Sequence, residues 1–171
     1  LLGTQAQGGI IFYILKPGDI GYVAGQFQGL IAAMSDQSTG AEWGCFGSPI
    51  YTSILSAIGT GNQNTINIEA VCTTAGTAAD ICANLTLNGY SDWFLPSKDE
   101  LNEMYLNIGQ GSQLSNIGGF INYDYWSSTV FNTSASTIMW TDAWIQDFGS
   151  GGYQYTFNRY NLGYVRAIRA F

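Results

Sequence analysis

In the first third of the chain, apolar residues come in short unbroken runs rather than in alternation. GGIIFYIL (residues 8–15) and LIAAM (30–34) each read as a buried strand. KPGDIGY between them is a turn. SDQSTGAEWGCFGSP (35–49) is polar and glycine-rich, and reads as a loop. From Gly59 the period lengthens: Ile66 and Ala70 stand four apart, as do Ala78 and Cys82, with Leu85 following. That spacing predicts one interrupted helix or two short ones between residues 62 and 87, capped by Asn62 or Asn64.

The stretch GYSDWFLPSKDELNEMY (89–105) stands out because four charges crowd between Lys98 and Glu103 in a chain that is 10% charged. Pro96 ends whatever precedes it. Ser97 and Glu100 have the spacing of a capping box, and Asp99, Glu100 and Glu103 fall where a helix dipole favours negative charge. Leu101, Met104, Tyr105 and Ile108 then share one face. The cluster reads as a helix start with exposed carboxylates. A paired-carboxylate active site instead needs an acid and a base held apart in pKa within a pocket.

Beyond Gly109 the pattern is that of strands: YDYWSSTVF, STIMWTDAWIQDF, GGYQYTFN and GYVRAIRAF, separated by Gly, Asn and Ser. Tyr153, Tyr155, Phe157 and Tyr160 alternate with Gln154, Thr156, Asn158 and Asn161, which predicts one buried and one exposed face. Trp126, Trp140, Trp144 and Phe148 read as core, with a sugar-stacking platform as the alternative. No repeat or linker divides the chain, so residues 1–171 are expected to form one domain.

Composition narrows the function. The net charge is −7 with five basic residues, so the cationic footprint of a nucleic-acid binder is missing. No apolar run approaches 18 residues, so membrane insertion is not expected, and LLGTQAQGG does not read as a signal peptide. Histidine is absent, which removes the commonest general base and metal ligand and argues against an enzyme. Cys45, Cys72 and Cys82 lack the spacing of a CxxC site. One disulfide, Cys72–Cys82, plus a buried thiol is the favoured reading, and three reduced core cysteines the alternative. Arg159, Arg166 and Arg169 are expected to pair with Asp92, Asp124, Asp142 or Asp147 inside the domain; contact with an anionic ligand is the other reading. Asp36, Asp92 and Asp124 are oxygen donors suited to calcium, but they form no spaced loop motif, and no metal or cofactor is expected.

The series GGIIFYI, LIAA, SDQS, GAEWGC, GTGNQNT, GYSDWFLPSKDEL, YWSST, AW, DFG and VRAIRAF resembles the domain at the carboxy end of bacterial collagen-like adhesins, from Gly8 to Phe171. The resemblance implies an α+β, C-type lectin-like fold. Two helices would flank a small antiparallel sheet, with the amino- and carboxy-terminal strands paired and a loop-rich carboxy-terminal half. It also implies a ligand binder on a cell surface or phage particle, without enzymatic activity. The fold is shared with variable proteins of diversity-generating retroelements. VFNTSASTI (130–138) and TFNRYNLGY (156–164) contain only residues reachable from an asparagine codon by changes at its adenines.

The expected binding face spans residues 130–163, with Phe131, Asn132, Ile145, Asp147, Tyr153, Tyr155, Phe157, Asn158, Tyr160 and Asn161 as its candidates. A surface rich in Tyr, Asn, Ser and Gly resembles antibody loops. The expected partner is a protein or glycan on a target surface. The alternatives are a structural or homo-oligomerising module and a calcium-independent carbohydrate-binding domain. Two departures matter. The collagen-like adhesins bind sulfated polysaccharides, for which this acidic chain lacks a basic surface, and the Glu-Pro-Asn and Trp-Asn-Asp calcium signature of lectins is missing.

Overall fold

The first apolar run is unbroken because its strand is covered on both faces. Ile11 and Ile31 point into one buried cluster with Trp43, Ile68, Trp93 and Trp126. Ile10, Phe12, Leu30 and Ala32 point into a second with Phe94, Leu101, Met104 and Phe148. A strand buried on both sides has no polar face to alternate with. A computed structural model describes residues 1–50, 52–53, 55–131, 141–149 and 151–171.

Among these residues the elements run β1 (Gln5–Ala6), β2 (Gly9–Ile14), β3 (Gly29–Ala32), β4 (Ser38–Glu42), α1 (Gly61–Val71), α2 (Ala78–Ala83), α3 (Lys98–Ile108), β5 (Asp124–Val130), β6 (Asp142–Asp147), β7 (Gln154–Asn158), β8 (Leu162–Val165) and β9 (Ile168–Ala170). The fold is α+β. One sheet has the order β1-β2-β3-β9 and the other β4-β8-β5-β6-β7. All pairings are antiparallel except β5 with β8.

Several expectations change. The described residues contain three helices rather than two. The last strand, β9, pairs with β3, so β3 stands between the amino- and carboxy-terminal strands. Residues 38–42, read as loop, form β4. Only Ala41 of that strand is buried, so it carries no apolar pattern to read. Helix α1 begins after Thr60 without a side-chain cap. Asn64 lies inside the helix, donating from Nδ2 to the Leu55 carbonyl at 2.6 Å and to Ser128 Oγ at 3.3 Å. Trp144 is half-buried rather than core; Lys98 Nζ sits 3.7 Å above its ring.

The charged stretch is a helix start, as its spacing predicts, but its key carboxylate is not exposed. Ser97 Oγ accepts from the Glu100 N–H at 3.3 Å, while Glu100 Oε2 accepts from the Ser97 N–H at 2.7 Å. Glu100 is 0% exposed. Its Oε1 also accepts from the N–H groups of Gly59 at 2.8 Å and Gly61 at 3.5 Å, so it ties the start of α1 to the start of α3. Gly61 leaves room for this: a Cβ there would stand 2.2 Å from Glu100 Oε2.

The two most distinctive sequence pieces meet. The Ser128 N–H donates to the Pro96 carbonyl at 2.7 Å, and the Lys98 N–H to Thr129 Oγ1 at 3.0 Å. The register of β5 against β6 shifts between Trp126 and Val130 to allow it.

The disulfide expectation is corrected. Cys72 joins Cys45, with a Cα–Cα separation of 5.6 Å, and Cys82 is a free, fully buried thiol. Gly44 and Cys45 both have positive φ (113° and 45°), and this turn brings Cys45 to the end of α1. Cys82 points inward from α2 into the core. Arg169 pairs with Asp92 as expected, at 2.7 Å, but Arg166 pairs with Asp36, at 2.6 Å. The buried Arg159 donates to the backbone carbonyls of Gly44, Ser48 and Cys45. Asp36 and Asp92 are thus held by arginines rather than grouped for calcium.

Two outcomes follow. Cys45→Ala should lower unfolding stability by about 3 to 4 kcal/mol, the value for closing a loop of 27 residues, while Cys82→Ala should leave the Cys45–Cys72 crosslink intact in a non-reducing peptide map.

Burial pushes the Glu100 carboxyl up from 4.5 to about 7, against the pull of its backbone donors. A folded-state value above the unfolded one stabilises at low pH. That contribution is complete below about pH 4.5 and is lost as the pH rises to about 7, on the order of 3 kcal/mol. Thermal melts from pH 4 to 8 should show the wild-type advantage over Glu100→Gln shrinking across that window and level above it.

Candidate functional site

Strands β5, β6 and β7 present one face that is core at one end and open at the other. Cross-strand partners share a face. Trp126 pairs with Ile145, Ile145 with Tyr155, and Asp124 with Asp147. Trp126 and Ile145 fill the core, and Phe157 packs against them with its ring 6.0 Å from that of Trp126. Two residues along the strands the same face emerges. Asp124, Asp147, Tyr153 and Tyr155, with Asn122 and Tyr123, line a cavity of about 490 Å³.

The cavity is built on firm supports. Tyr123 is 59% exposed, but its ring lies 5.0 Å from that of Tyr164, which in turn stacks on buried Tyr125 at 5.4 Å. The Phe148 N–H donates to the Tyr123 carbonyl at 2.9 Å, anchoring that loop to the end of β6. Asp147 is fixed on both sides: its N–H donates to the Tyr153 carbonyl at 3.0 Å, and its Oδ1 accepts from the Gly149 N–H at 2.6 Å. At Gly149 an added Cβ would stand 1.8 Å from Asn122 Oδ1, so glycine is what lets Asn122 cross close to this turn. Tyr153 is 74% exposed, and its ring lies over Gly151, where a Cβ would come within 2.0 Å.

The electrostatics follow from placing two carboxylates opposite one another. Burial pushes the Asp124 carboxyl above its usual range. The Tyr155 hydroxyl donates to it and pulls back, while the Asp147 charge adds to the push. The Tyr155 phenol is pushed up by burial, by its bond to Asp124, and by both carboxylate charges.

Of the residues expected at the binding face, the structure brings Asp147, Tyr153 and Tyr155 together. Asn158, Tyr160 and Asn161 lie at the other end of β7, roughly 10 Å from Tyr155 at three strand residues. There the Tyr160 ring meets that of Phe46 at 5.3 Å, and Asn158 Oδ1 accepts from the Tyr160 N–H. Phe131 follows β5 at that same far end, its ring edge-on to Trp144 at 5.7 Å. Asn132 lies outside the described residues, as does most of 130–138. Ile145 is 1% exposed: its side chain is core and not open to a ligand. Phe157 is half-buried on the inner face.

The reading from sequence missed Asn122 and Tyr123 and weighed Asp124 only as an arginine partner or a calcium donor. Alternation from Trp126 back to Asp124 was the signal available. Among the described residues no group of three or more His, Cys, Asp or Glu is arranged to hold a metal ion.

A family model described as the Lcl C-terminal domain matches residues 32–169. The chain belongs to this family. No curated protein matches it. The matched span of this Lcl C-terminal domain includes the whole cavity and both residues of the Ser97–Glu100 box, while β1 and β2 precede it.

The causes of the Asp124 shift can be separated by NMR titration of its carboxyl carbon. Asp147→Asn should lower the Asp124 pKa, because it removes a neighbouring negative charge. Tyr155→Phe should raise it, because it removes the donor to the ionised form.

Proposed function

We propose that this Lcl C-terminal domain is a non-enzymatic recognition module of an adhesin-like protein, carried outside the cell, and that its ligand sits in the cavity at the open end of β5, β6 and β7. The observation that carries this reading is the cavity itself. Of its exposed tyrosine rings, Tyr123 packs on the Tyr164–Tyr125 aromatic stack and Tyr153 lies over Gly151. Rings held ready in this way gain contact area at little cost in conformational entropy. Its volume of about 490 Å³ falls within the roughly 300–1,000 Å³ of small-ligand sites. The lining joins aromatic faces to carboxylate and amide groups, which suits a saccharide: ring carbons against tyrosine, hydroxyls against Asp and Asn.

Two further features support parts of this reading. The Cys45–Cys72 disulfide is the kind of bond that persists in an oxidising, extracellular setting. Among the described residues no helix is long and apolar enough to cross a membrane. A surface diversified by a retroelement at 130–138 and 156–164 is a second, separate reading, since none of the cavity-lining residues falls in either set. The second set spans β7 to β8, and residues 132–138 of the first lie outside the described residues.

The test is binding to arrayed glycans and immobilised surface proteins, read beside thermal melting. Tyr153→Ala should weaken binding about ten-fold or more, as an exposed aromatic anchor does, and change stability by no more than about 0.5 kcal/mol. Tyr160→Ala, at the far end of the sheet, should leave binding unchanged. Loss of binding in Tyr160→Ala with retention in Tyr153→Ala would move the site to that far end.

A further inference from the structure

The cavity carries two carboxylates in direct cross-strand register, Asp124 opposite Asp147. Like charges so placed repel and destabilise the sheet pair. A neighbouring Lys or Arg is the usual remedy, and this chain has only five. All five are engaged elsewhere, each over an aromatic ring. Lys16 lies over Tyr13, Lys98 over Trp144, Arg159 over Trp43, Arg166 over Phe120 and Arg169 over Tyr90, at 3.7 to 4.8 Å from the ring centroids. Arg166 and Arg169 are also paired with Asp36 and Asp92. Among the described residues no basic side chain forms a salt bridge with Asp124 or Asp147. The fold therefore keeps, in an open cavity lined by tyrosines, a carboxylate pair that hydrogen-bond donors reach but with which no cation among the described residues forms a salt bridge.

We infer that the ligand of this cavity carries a protonated amine, and that its class is a saccharide with free amino groups rather than one that is N-acetylated or sulfated. This rests on the proposal that the cavity is the binding site. An ammonium between Asp124 and Asp147 gains two charge-assisted hydrogen bonds and relieves the repulsion between them. The faces of Tyr123 and Tyr153 add attraction for a cation and a flat surface for a sugar ring. An amine fits better than a calcium ion, which takes six to eight oxygen ligands, whereas tyrosine rings supply much of this wall. Sulfate esters meet the opposite condition, since they would bring negative charge to the carboxylate pair of a chain at −7.

The experiment is calorimetric titration of the whole chain at pH 6 and low salt. The probes are glucosamine oligomers with free amines, the matching N-acetylated oligomers, heparin oligosaccharides, a tetralysine peptide and calcium chloride. Glucosamine oligomers should bind, and more weakly as salt rises. Their N-acetylated counterparts should bind at least about ten-fold more weakly, and heparin not at all. Asp124→Asn and Asp147→Asn should each reduce affinity for the free amine by about ten-fold or more, equivalent to about 1.4 kcal/mol. Glu42→Gln removes the same charge from an exposed position on β4 and should change nothing.

Equal loss in all three variants would overturn the inference in favour of general attraction to an acidic protein. Equal binding of the N-acetylated oligomers, insensitive to Asp147→Asn, would overturn the amine while leaving a saccharide site. Tetralysine binding that depends on Asp147, without glucosamine binding, would replace the saccharide with a peptide. Calcium binding lost in both Asp variants would replace the amine with a metal ion. If none of the probes binds but arrayed surfaces are still bound through Tyr153, the amine falls and the site stands. If Tyr153→Ala is also without effect there, both fall.

Discussion

A single buried carboxylate holds the two halves of the α-helical layer in register. Glu100 accepts from Ser97, Gly59 and Gly61, so the first turn of α1 and the first turn of α3 share one acceptor group. Burial favours the protonated form of this carboxyl, and backbone N–H groups from two segments about 40 residues apart offset only part of that cost. Ser97 completes the junction, since its Oγ also donates toward the carbonyls of Ser56 and Ala57. With α3 fixed, Leu101, Met104 and Ile108 cover one face of β2 and β3. Pro96 and Lys98 then meet Ser128 and Thr129, which fixes where β5 runs. The cavity lies at the start of β5, so its position is inherited from this junction.

The same economy governs charge. Each of the five cations in 171 residues lies over an aromatic ring, and the three arginines also hold backbone or carboxylate groups. Arg166 bridges Asp36 and the carbonyls of Ala33 and Gly118, joining β3 to the loop before β5. Arg169 forks onto both oxygens of Asp92 and reaches Gln7. Arg159 gathers the carbonyls around the Gly44–Cys45 turn, next to the disulfide. Burial pulls its pKa down to about 10, which still leaves it charged at neutral pH. Arg159 and Arg166 thus supply donors to buried backbone carbonyls, while Arg169 serves chiefly the Asp92 carboxylate.

Much of this was legible in the sequence, for identifiable reasons. The two buried strands, both helix regions between 62 and 87 and the capping box at Ser97 are set by local pattern, and local pattern is what a sequence displays. The burial of Glu100 was not legible. It depends on Gly59 and Gly61, some 40 residues away, folding over an acidic residue that in an isolated helix would face water. The Cys45–Cys72 bond failed for the same reason. Cys72 and Cys82 lie close in sequence, yet the end of α1 and the inner face of α2 send them in different directions. On the candidate binding face, the sequence pointed to Tyr153 and Tyr155, which both line the cavity, but alternation could not tell that Ile145 belongs to the core end of the same face as Asp147. The cavity needs residues from three separate strands and loops, and only the register of β5 against β6 reveals that Asp124 stands opposite Asp147.

That register also separates scaffold from site in energetic terms. Along one face of the same three strands, Trp126, Ile145 and Phe157 remove apolar surface from water, and two residues on, Asp124 and Asp147 oppose one another at a cost. A domain with ample aromatic burial tolerates one repulsive pair without losing its fold. Interior positions that conflict with local stability while neighbouring ones agree with it are where function is to be sought. Here the conflict lies in a cavity with aromatic walls, held by a glycine turn at Gly149 and a stacked Tyr123. The face therefore carries apolar burial and charge conflict on adjacent pairs of residues, and β6 joins the two, with Ile145 in the core and Asp147 in the cavity.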